Sequence, residues 1–141
     1  MAVKTLLTHT RRAFSTEPLR VAGVEHYPVL HREVQTIVRE FIGNKDGSAQ
    51  MLDGTFGGGG HSGPLLREHR GLKVLGLDLD QKVLVAGREH YAEYIKEKRL
   101  ALVHSNFANA ANLEVRAAFR KKIGIRESHD IALLDLGFSN F

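Results

Sequence analysis

The chain of 141 residues contains no cysteine, which excludes a disulfide framework and any zinc site built on thiolates. It also lacks an apolar run approaching the ~20 residues that a membrane-spanning helix requires. Residues 1–16 contain no acidic side chain, and the first acid is Glu17. What is present, 43% hydrophobic and 26% charged residues, is the composition of a globular protein with one core.

Positive charge is concentrated at the N-terminus. The formal net charge is +4, and Lys4, Arg11 and Arg12 supply three of these charges. The basic character of the chain is therefore a weak argument for nucleic-acid binding. Apolar residues recur at helical spacing between the cations, and a basic, acid-free amphipathic helix is typical of a mitochondrial transit peptide. We expect residues 1–20 to be such a peptide; a disordered basic tail is the alternative.

Beyond the N-terminus, the hydrophobic pattern alternates between helical and strand periods. Helices are predicted at 29–42, 62–69, 81–98 and 112–124, and strands at 49–56, 72–80, 100–107 and 130–138. This alternation predicts an α/β fold with about four parallel strands and flanking helices. Because the strands are apolar throughout, we expect both faces of the sheet to be covered.

Two of the predicted helices carry an apolar stripe that indicates a buried face. The stripe residues are Val34, Ile37, Val38 and Phe41 in the first helix and Leu84, Tyr91 and Ile95 in the third. Ser62 is predicted to cap the second helix, while Asp80 is interpreted as a solvated residue or a cap of the third.

The segment DGTFGGGGHS, residues 53–62, lies between a predicted strand and a predicted helix. Gly58, Gly60 and Gly63 fit the pattern G-x-G-x-x-G, and Asp78 ends the next strand 20 residues after Gly58. Glycines let a backbone approach a ligand, and an acid at that position accepts hydrogen bonds from a ribose. The pattern favours a nucleotide-like cofactor, either a nicotinamide dinucleotide or S-adenosylmethionine, over a tight turn beside a solvated acid.

Five segments in a fixed order carry a family resemblance: HYPVLHREV (26–34), DGTFGGGGHS (53–62), GLDLD (76–80), LVHSNF (102–107) and LLDLG (133–137). Together they resemble the bacterial S-adenosylmethionine-dependent methyltransferases that modify N4 of a cytosine in small-subunit ribosomal RNA. The resemblance implies a Rossmann-like class I methyltransferase fold, with residues 21–141 as a partial, cofactor-binding domain. It further implies S-adenosylmethionine as cofactor and small-subunit rRNA as partner. With the transit-like N-terminus, it implies a mitochondrial matrix member of that family.

The resemblance also implies a set of cofactor-binding residues. These are the turn residues Gly59, Gly60 and His61, the ribose acid Asp78, the aromatic Phe107 near the adenine, and Asp135, which closes the pocket. A cap role for His61 and a core position for Phe107 are the structural alternatives. No metal site is predicted from the histidine spacing, and no catalytic residue is assigned.

The sequence departs from that family at its C-terminal end. Asn140 stands where the family has a second serine, and Phe141 ends the chain just after the fourth predicted strand. Because the family continues through further strands, we expect the chain to lack substrate-recognition parts and to be marginally stable. Two other functions stay open: an inactive fragment that at most binds the cofactor, and a nicotinamide-binding oxidoreductase domain.

Overall fold

The structure is a computed structural model. The structure describes residues 20–21, 24–25, 28, 30–44, 48–112, 117, 121–124 and 129–136. The predicted transit peptide lies outside this part of the chain apart from its last residue. Most of the predicted helix 112–124 also lies outside it, although residues 117 and 121–123 are helical.

Four parallel strands form the central sheet, as the sequence predicts. They are β3 (Ala49–Asp53), β4 (Leu72–Asp78), β5 (Leu100–His104) and β6 (Ile131–Leu133). A short antiparallel pair, β1 (Arg20–Val21) and β2 (Val24–Glu25), precedes them. The order across the sheet is β5–β4–β3–β6. The strand order therefore reverses after β5, and β6 is added on the other side of β3.

This reversal positions the candidate site. Asp53, at the end of β3, pairs with Gly76 of β4 on one side and with Leu133 of β6 on the other. Open α/β sheets bind ligands beyond the carboxyl ends of the strands at the point where the strand order reverses. That point lies here between β3 and β6, directly after Asp53.

Within the described residues, four helices whose two ends are both described, and a short 3₁₀ segment, accompany the sheet. They are α1 (His31–Gly43), α2 (Ser62–Glu68), α3 (Gln81–His90), α4 (Ala92–Lys96) and the 3₁₀ helix Phe107–Asn109. The single helix predicted at 81–98 is wrong, because the backbone leaves helical geometry at Tyr91, with φ −107° and ψ 25°. Within the described residues, no helix has the length and apolar character needed to cross a membrane.

One of the two predicted helix caps is present in the structure, and the other is not. Asp80 caps α3, and its carboxylate accepts a hydrogen bond of 2.9 Å from the Lys82 N–H. The prediction that Ser62 caps α2 is wrong, because Ser62 is already the first helical residue and His61 occupies the cap position. The Ser62 hydroxyl instead donates to the carboxylate of Asp53.

The buried face of α1 differs from the predicted stripe. Val38 is buried as expected, but Ile37 is 66% exposed, and Gln35 and Ile42 are buried instead. The Gln35 amide donates a hydrogen bond of 3.0 Å to the carbonyl of His61. This contact fixes the rotation of the helix, and hydrophobicity alone gives no sign of it because glutamine counts as a surface residue.

The core occupies both faces of β3, β4 and β5. One cluster includes Met51, Val74 and Leu84, and a second, on the opposite face, includes Leu75 and Leu77. Successive residues of a strand point to opposite faces, so these two sets lie on either side of the sheet. The prediction of burial on both faces is wrong for β6, since Ala132 is exposed and the strand lies at the edge of the described sheet.

Candidate cofactor site

A buried carboxylate lies at the centre of the site. Asp53 is 2% exposed, and its two oxygens accept hydrogen bonds from the Ser62 hydroxyl at 2.5 Å and the Thr55 N–H at 3.3 Å. Burial raises the pKa of Asp53 to about 6; the Ser62 bond opposes this rise, and the carboxylates of Asp78 and Asp135 add to it. Sequence reasoning did not assign Asp53 a role, although an acid that ends a buried strand was a usable signal.

The glycine-rich segment forms a turn over residues 54–61 between β3 and α2. The Phe56 N–H donates to the Leu77 carbonyl at 2.9 Å, which attaches the turn to β4. Gly57 and Gly59 have φ values of +53° and +73°, in the left-handed region that favours glycine. The backbone of this turn therefore requires glycine at two positions before any ligand is considered.

Asp78 lies directly against this turn. Its carboxylate accepts a hydrogen bond of 2.7 Å from the Gly57 N–H and another of 2.9 Å from the Asp80 N–H. Each carboxylate oxygen has room for a second donor. The structure thus brings the predicted ribose acid and the predicted cofactor turn together, and the acid also stabilises the turn.

The glycines differ in what surrounds them. A Cβ atom on Gly59 would lie 2.6 Å from the Tyr91 ring, and one on Gly60 would lie 2.9 Å from the Pro28 ring. A Cβ atom on Gly57 would have only the Thr55 carbonyl nearby, at 3.9 Å. Close packing within the protein therefore explains why residues 59 and 60 are glycines. The side of the turn that is open to a ligand is at Gly57.

His61 and Asp135 meet at the same edge of the sheet. The Nε2 atom of the buried His61 lies 3.6 Å from an Asp135 carboxylate oxygen. The His61 ring stacks on that of His31 at a centroid distance of 6.0 Å. The Asp135 N–H donates to the Thr55 hydroxyl at 2.7 Å, so the segment after β6 is joined to the turn.

Phe107 lies beside the beginning of the turn. It is 38% exposed, in the 3₁₀ segment that follows β5, so the alternative of a core position is wrong. A Cβ atom on Gly54 would lie 2.8 Å from the Phe107 Cβ and 2.4 Å from Leu134. Leu79, which follows Asp78, is 65% exposed. Apolar side chains thus accompany the carboxylates at this edge.

The chemistry of the edge suits a nucleoside that carries a positive charge. A carboxylate with free acceptor positions suits ribose hydroxyls, exposed apolar side chains suit a purine face, and three carboxylates favour a cation. At Gly57, where a Cβ atom would have only the Thr55 carbonyl nearby at 3.9 Å, the backbone is open to a ligand. Among the described residues, no group of three or more histidine or acidic side chains could hold a metal ion.

Comparison with known proteins agrees with this chemistry. Residues 23–141 match the MraW methylase family, whose members are of the S-adenosylmethionine-dependent class. The ribosomal RNA small subunit methyltransferase H of Sulfurihydrogenibium azorense is 35% identical over 118 residues, which cover 84% of this chain and 36% of that protein. The protein of the same description from Gemmatimonas aurantiaca is 33% identical over 118 residues, covering 84% and 32%. The chain thus spans about a third of the length of these relatives.

Proposed function

Because the chain belongs to the MraW methylase family, we propose that this protein transfers a methyl group from S-adenosylmethionine to N4 of a cytidine in small-subunit rRNA. The observation that carries the proposal is the position of Asp78 against the open side of the glycine turn at Gly57. A ribose-binding acid and a backbone open to a ligand meet there, at the reversal of strand order.

The described residues bind and orient the cofactor in this proposal. Asp78 accepts hydrogen bonds from the ribose hydroxyls, and Phe107 packs against the adenine. Asp135, joined to the turn through Thr55, closes the pocket from β6. The carboxylates of Asp53, Asp78 and Asp135 together give the site a negative potential, which favours a ligand with a sulfonium and an ammonium group.

The cofactor, when bound, would supply a sulfonium methyl group that the exocyclic amine of cytosine attacks in line. The new N–C bond would form as the S–C bond breaks, so that S-adenosylhomocysteine leaves and the amine loses one proton. The lone pair of that amine is delocalised into the ring, so the reaction depends on holding both partners in position and away from water. The residues at this edge provide the cofactor half of that arrangement. The base has to be unpaired or splayed from its helix to reach them.

We further propose that the protein acts in the mitochondrial matrix, on rRNA of the mitochondrial small subunit. The acid-free, basic and amphipathic N-terminal segment supports this location. The relatives named above are described as ribosomal RNA small subunit methyltransferases, which supports rRNA of a small subunit as the substrate class.

Titration calorimetry with S-adenosylmethionine and with NAD tests the cofactor. Asp78→Ala should weaken S-adenosylmethionine binding by about 2 kcal/mol, the loss of hydrogen bonds to a charged group. Asp80→Ala is the matched control, because it removes a neighbouring carboxylate that caps α3. Tighter binding of NAD than of S-adenosylmethionine would overturn the proposal.

Transfer of a labelled methyl group to small-subunit rRNA tests the activity. Label recovered as N4-methylcytidine supports the full proposal. Cofactor binding without any transfer would support the alternative of an inactive cofactor-binding fragment.

A further inference from the structure

Tyr91 connects the break between α3 and α4 to the glycine turn. Its hydroxyl donates a hydrogen bond of 2.9 Å to the carbonyl of Gly58 and lies 3.3 Å from the carbonyl of Gly59. Its side chain is buried, and burial raises the pKa of the hydroxyl above its usual range. The hydroxyl therefore stays protonated and acts as a donor to the turn.

The ring of Tyr91 also fills the space beside the turn. A Cβ atom on Gly59 would lie 2.6 Å from the ring, and one on Gly63, in the first turn of α2, would lie 2.9 Å from the hydroxyl oxygen. Phe56 meets the ring edge-on at a centroid distance of 5.8 Å. Tyr91 therefore contacts the turn near its beginning, in its middle and at its junction with the helix.

These contacts determine the direction of the peptide groups in the turn. A trans peptide places its carbonyl and the following N–H on opposite sides. The Gly59 carbonyl, which also accepts the Gly63 N–H at 2.7 Å, lies on the Tyr91 side, so the Gly60 N–H is directed away from it. Asp78 holds the other side of the turn through the Gly57 N–H.

We propose that Tyr91 is a positioning residue, which holds residues 57–60 of the glycine turn in the conformation that receives the cofactor. The role rests on the proposed function, and Tyr91 itself need not touch the ligand. A turn that already has its bound conformation does not lose conformational freedom on binding, so affinity rises without a new contact.

Tyr91→Phe is the direct test, because it keeps the ring and removes only the donor. Tyr94→Phe is the matched control. Tyr94 is also buried, three residues further on, but its ring lies beneath the guanidinium of Arg99, at 5.3 Å. Both variants remove the hydroxyl of a buried tyrosine in the same cluster, and Tyr91→Phe removes the one that bonds the Gly58 carbonyl of the turn.

Amide hydrogen exchange on the full chain measures the turn without any ligand. We expect the Gly59 amide, which donates to the Phe56 carbonyl at 2.8 Å, to exchange about five-fold faster in Tyr91→Phe, and at the unaltered rate in Tyr94→Phe. Faster exchange confined to the turn supports positioning. An equal increase at the Leu75 amide of β4 would mean a general loss of stability, and it would overturn the inference, as would no change in the turn.

Calorimetry with S-adenosylmethionine links the turn to binding. Tyr91→Phe should raise Kd about five-fold, and Tyr94→Phe should leave it within about two-fold. In the methyl-transfer assay, KM for the cofactor should rise while kcat is retained. An unchanged Kd in Tyr91→Phe would overturn the positioning role alone. Failure of the unaltered chain to bind S-adenosylmethionine would instead refute the proposed function, and the positioning role with it.

Discussion

The Ser62 hydroxyl donates a hydrogen bond of 2.5 Å to the carboxylate of Asp53, and so joins the first residue of α2 to the last residue of β3. Both side chains are buried. The bond closes the base of the glycine turn, whose two ends these residues form. Hydrogen bonds to a charged acceptor are stronger than neutral ones, so the pair stabilises the ends of the turn most when Asp53 is ionised.

The burial of Asp53 should give the chain a distinctive dependence of stability on pH. Its pKa is raised from 3.8 to about 6, mainly by burial, so the folded state binds this proton more tightly than the unfolded state does. The resulting stabilisation is fully present below about pH 4 and is lost as the pH rises through about 6. Asp53→Asn keeps the shape of the side chain and does not titrate.

Urea unfolding of both proteins across this pH range measures the effect. The free energy of unfolding of the unaltered chain, relative to Asp53→Asn, should fall by roughly 3 kcal/mol between about pH 4 and pH 7. A difference that stays constant with pH would show that Asp53 titrates as an ordinary surface acid.

Ser62→Ala should destabilise the fold more at high pH than at low pH. The Ser62 bond lowers the pKa of Asp53, so it favours the ionised form, and its loss costs most when that form is present. We expect a loss of about 2 kcal/mol near pH 8 and less near pH 5. Ser105→Ala removes a half-buried hydroxyl that bonds the Asn106 carbonyl, and is the control without a pH trend. A greater loss at the lower pH would contradict the arrangement described.

Two left-handed glycines offer a matched pair of substitutions. Asparagine tolerates this conformation better than other residues with a side chain, so Gly57→Asn should cost about 1 kcal/mol of stability. Gly59→Asn should cost roughly 1–3 kcal/mol more, because its Cβ would lie 2.6 Å from the Tyr91 ring. Thermal unfolding of the two variants measures the difference. Equal losses would mean that the ring moves aside without cost.

The order of elements was predictable because each strand is a short apolar run and two of the predicted helices carry an apolar stripe. The break between α3 and α4 at Tyr91 was not predictable, because Leu84, Tyr91 and Ile95 keep helical spacing through it. All three pack in the same cluster, as the stripe predicts. At the break, the Tyr91 hydroxyl donates a hydrogen bond to the carbonyl of Gly58, 33 positions away. A local sequence pattern cannot predict a contact over that separation.

The site was predictable where it follows from strand ends. Asp78 and Asp135 lie at the carboxyl edge because acids that end apolar strands of a parallel sheet meet there. The side chains that require glycine at positions 59 and 60 were not predictable. A glycine in a sequence does not indicate which side chain packs beside it. Pro28 and Tyr91 come from distant parts of the chain.

The N-terminal segment should act as a targeting signal. Residues 1–20 fused to a fluorescent protein should deliver it to mitochondria, because the segment is basic, amphipathic and free of acids. Replacing Arg11 and Arg12 by glutamate should leave the reporter in the cytosol, and replacing both by lysine should preserve import. Cytosolic fluorescence from the unaltered fusion would count against the mitochondrial proposal.

The edge position of β6 has a kinetic consequence. It pairs with β3 over three residues, whereas β3 with β4 and β4 with β5 each pair over five. Its contact between Asp135 and Thr55 spans 80 positions, against 21 for Asp78 and Gly57, and closing a longer loop costs about 1 kcal/mol more. We therefore expect β6 to dock last during folding, after the turn and Asp78 are in place.

Pulse-labelled hydrogen exchange during refolding would detect this order, with the Val74 amide protected before that of Asp135; simultaneous protection would exclude it. The site would then be completed only by the final folding event, and β6 would also be the first strand to detach from the native state. A ligand that touches both Asp78 and Asp135 would bridge the early and the late part of the fold, and so would slow that detachment.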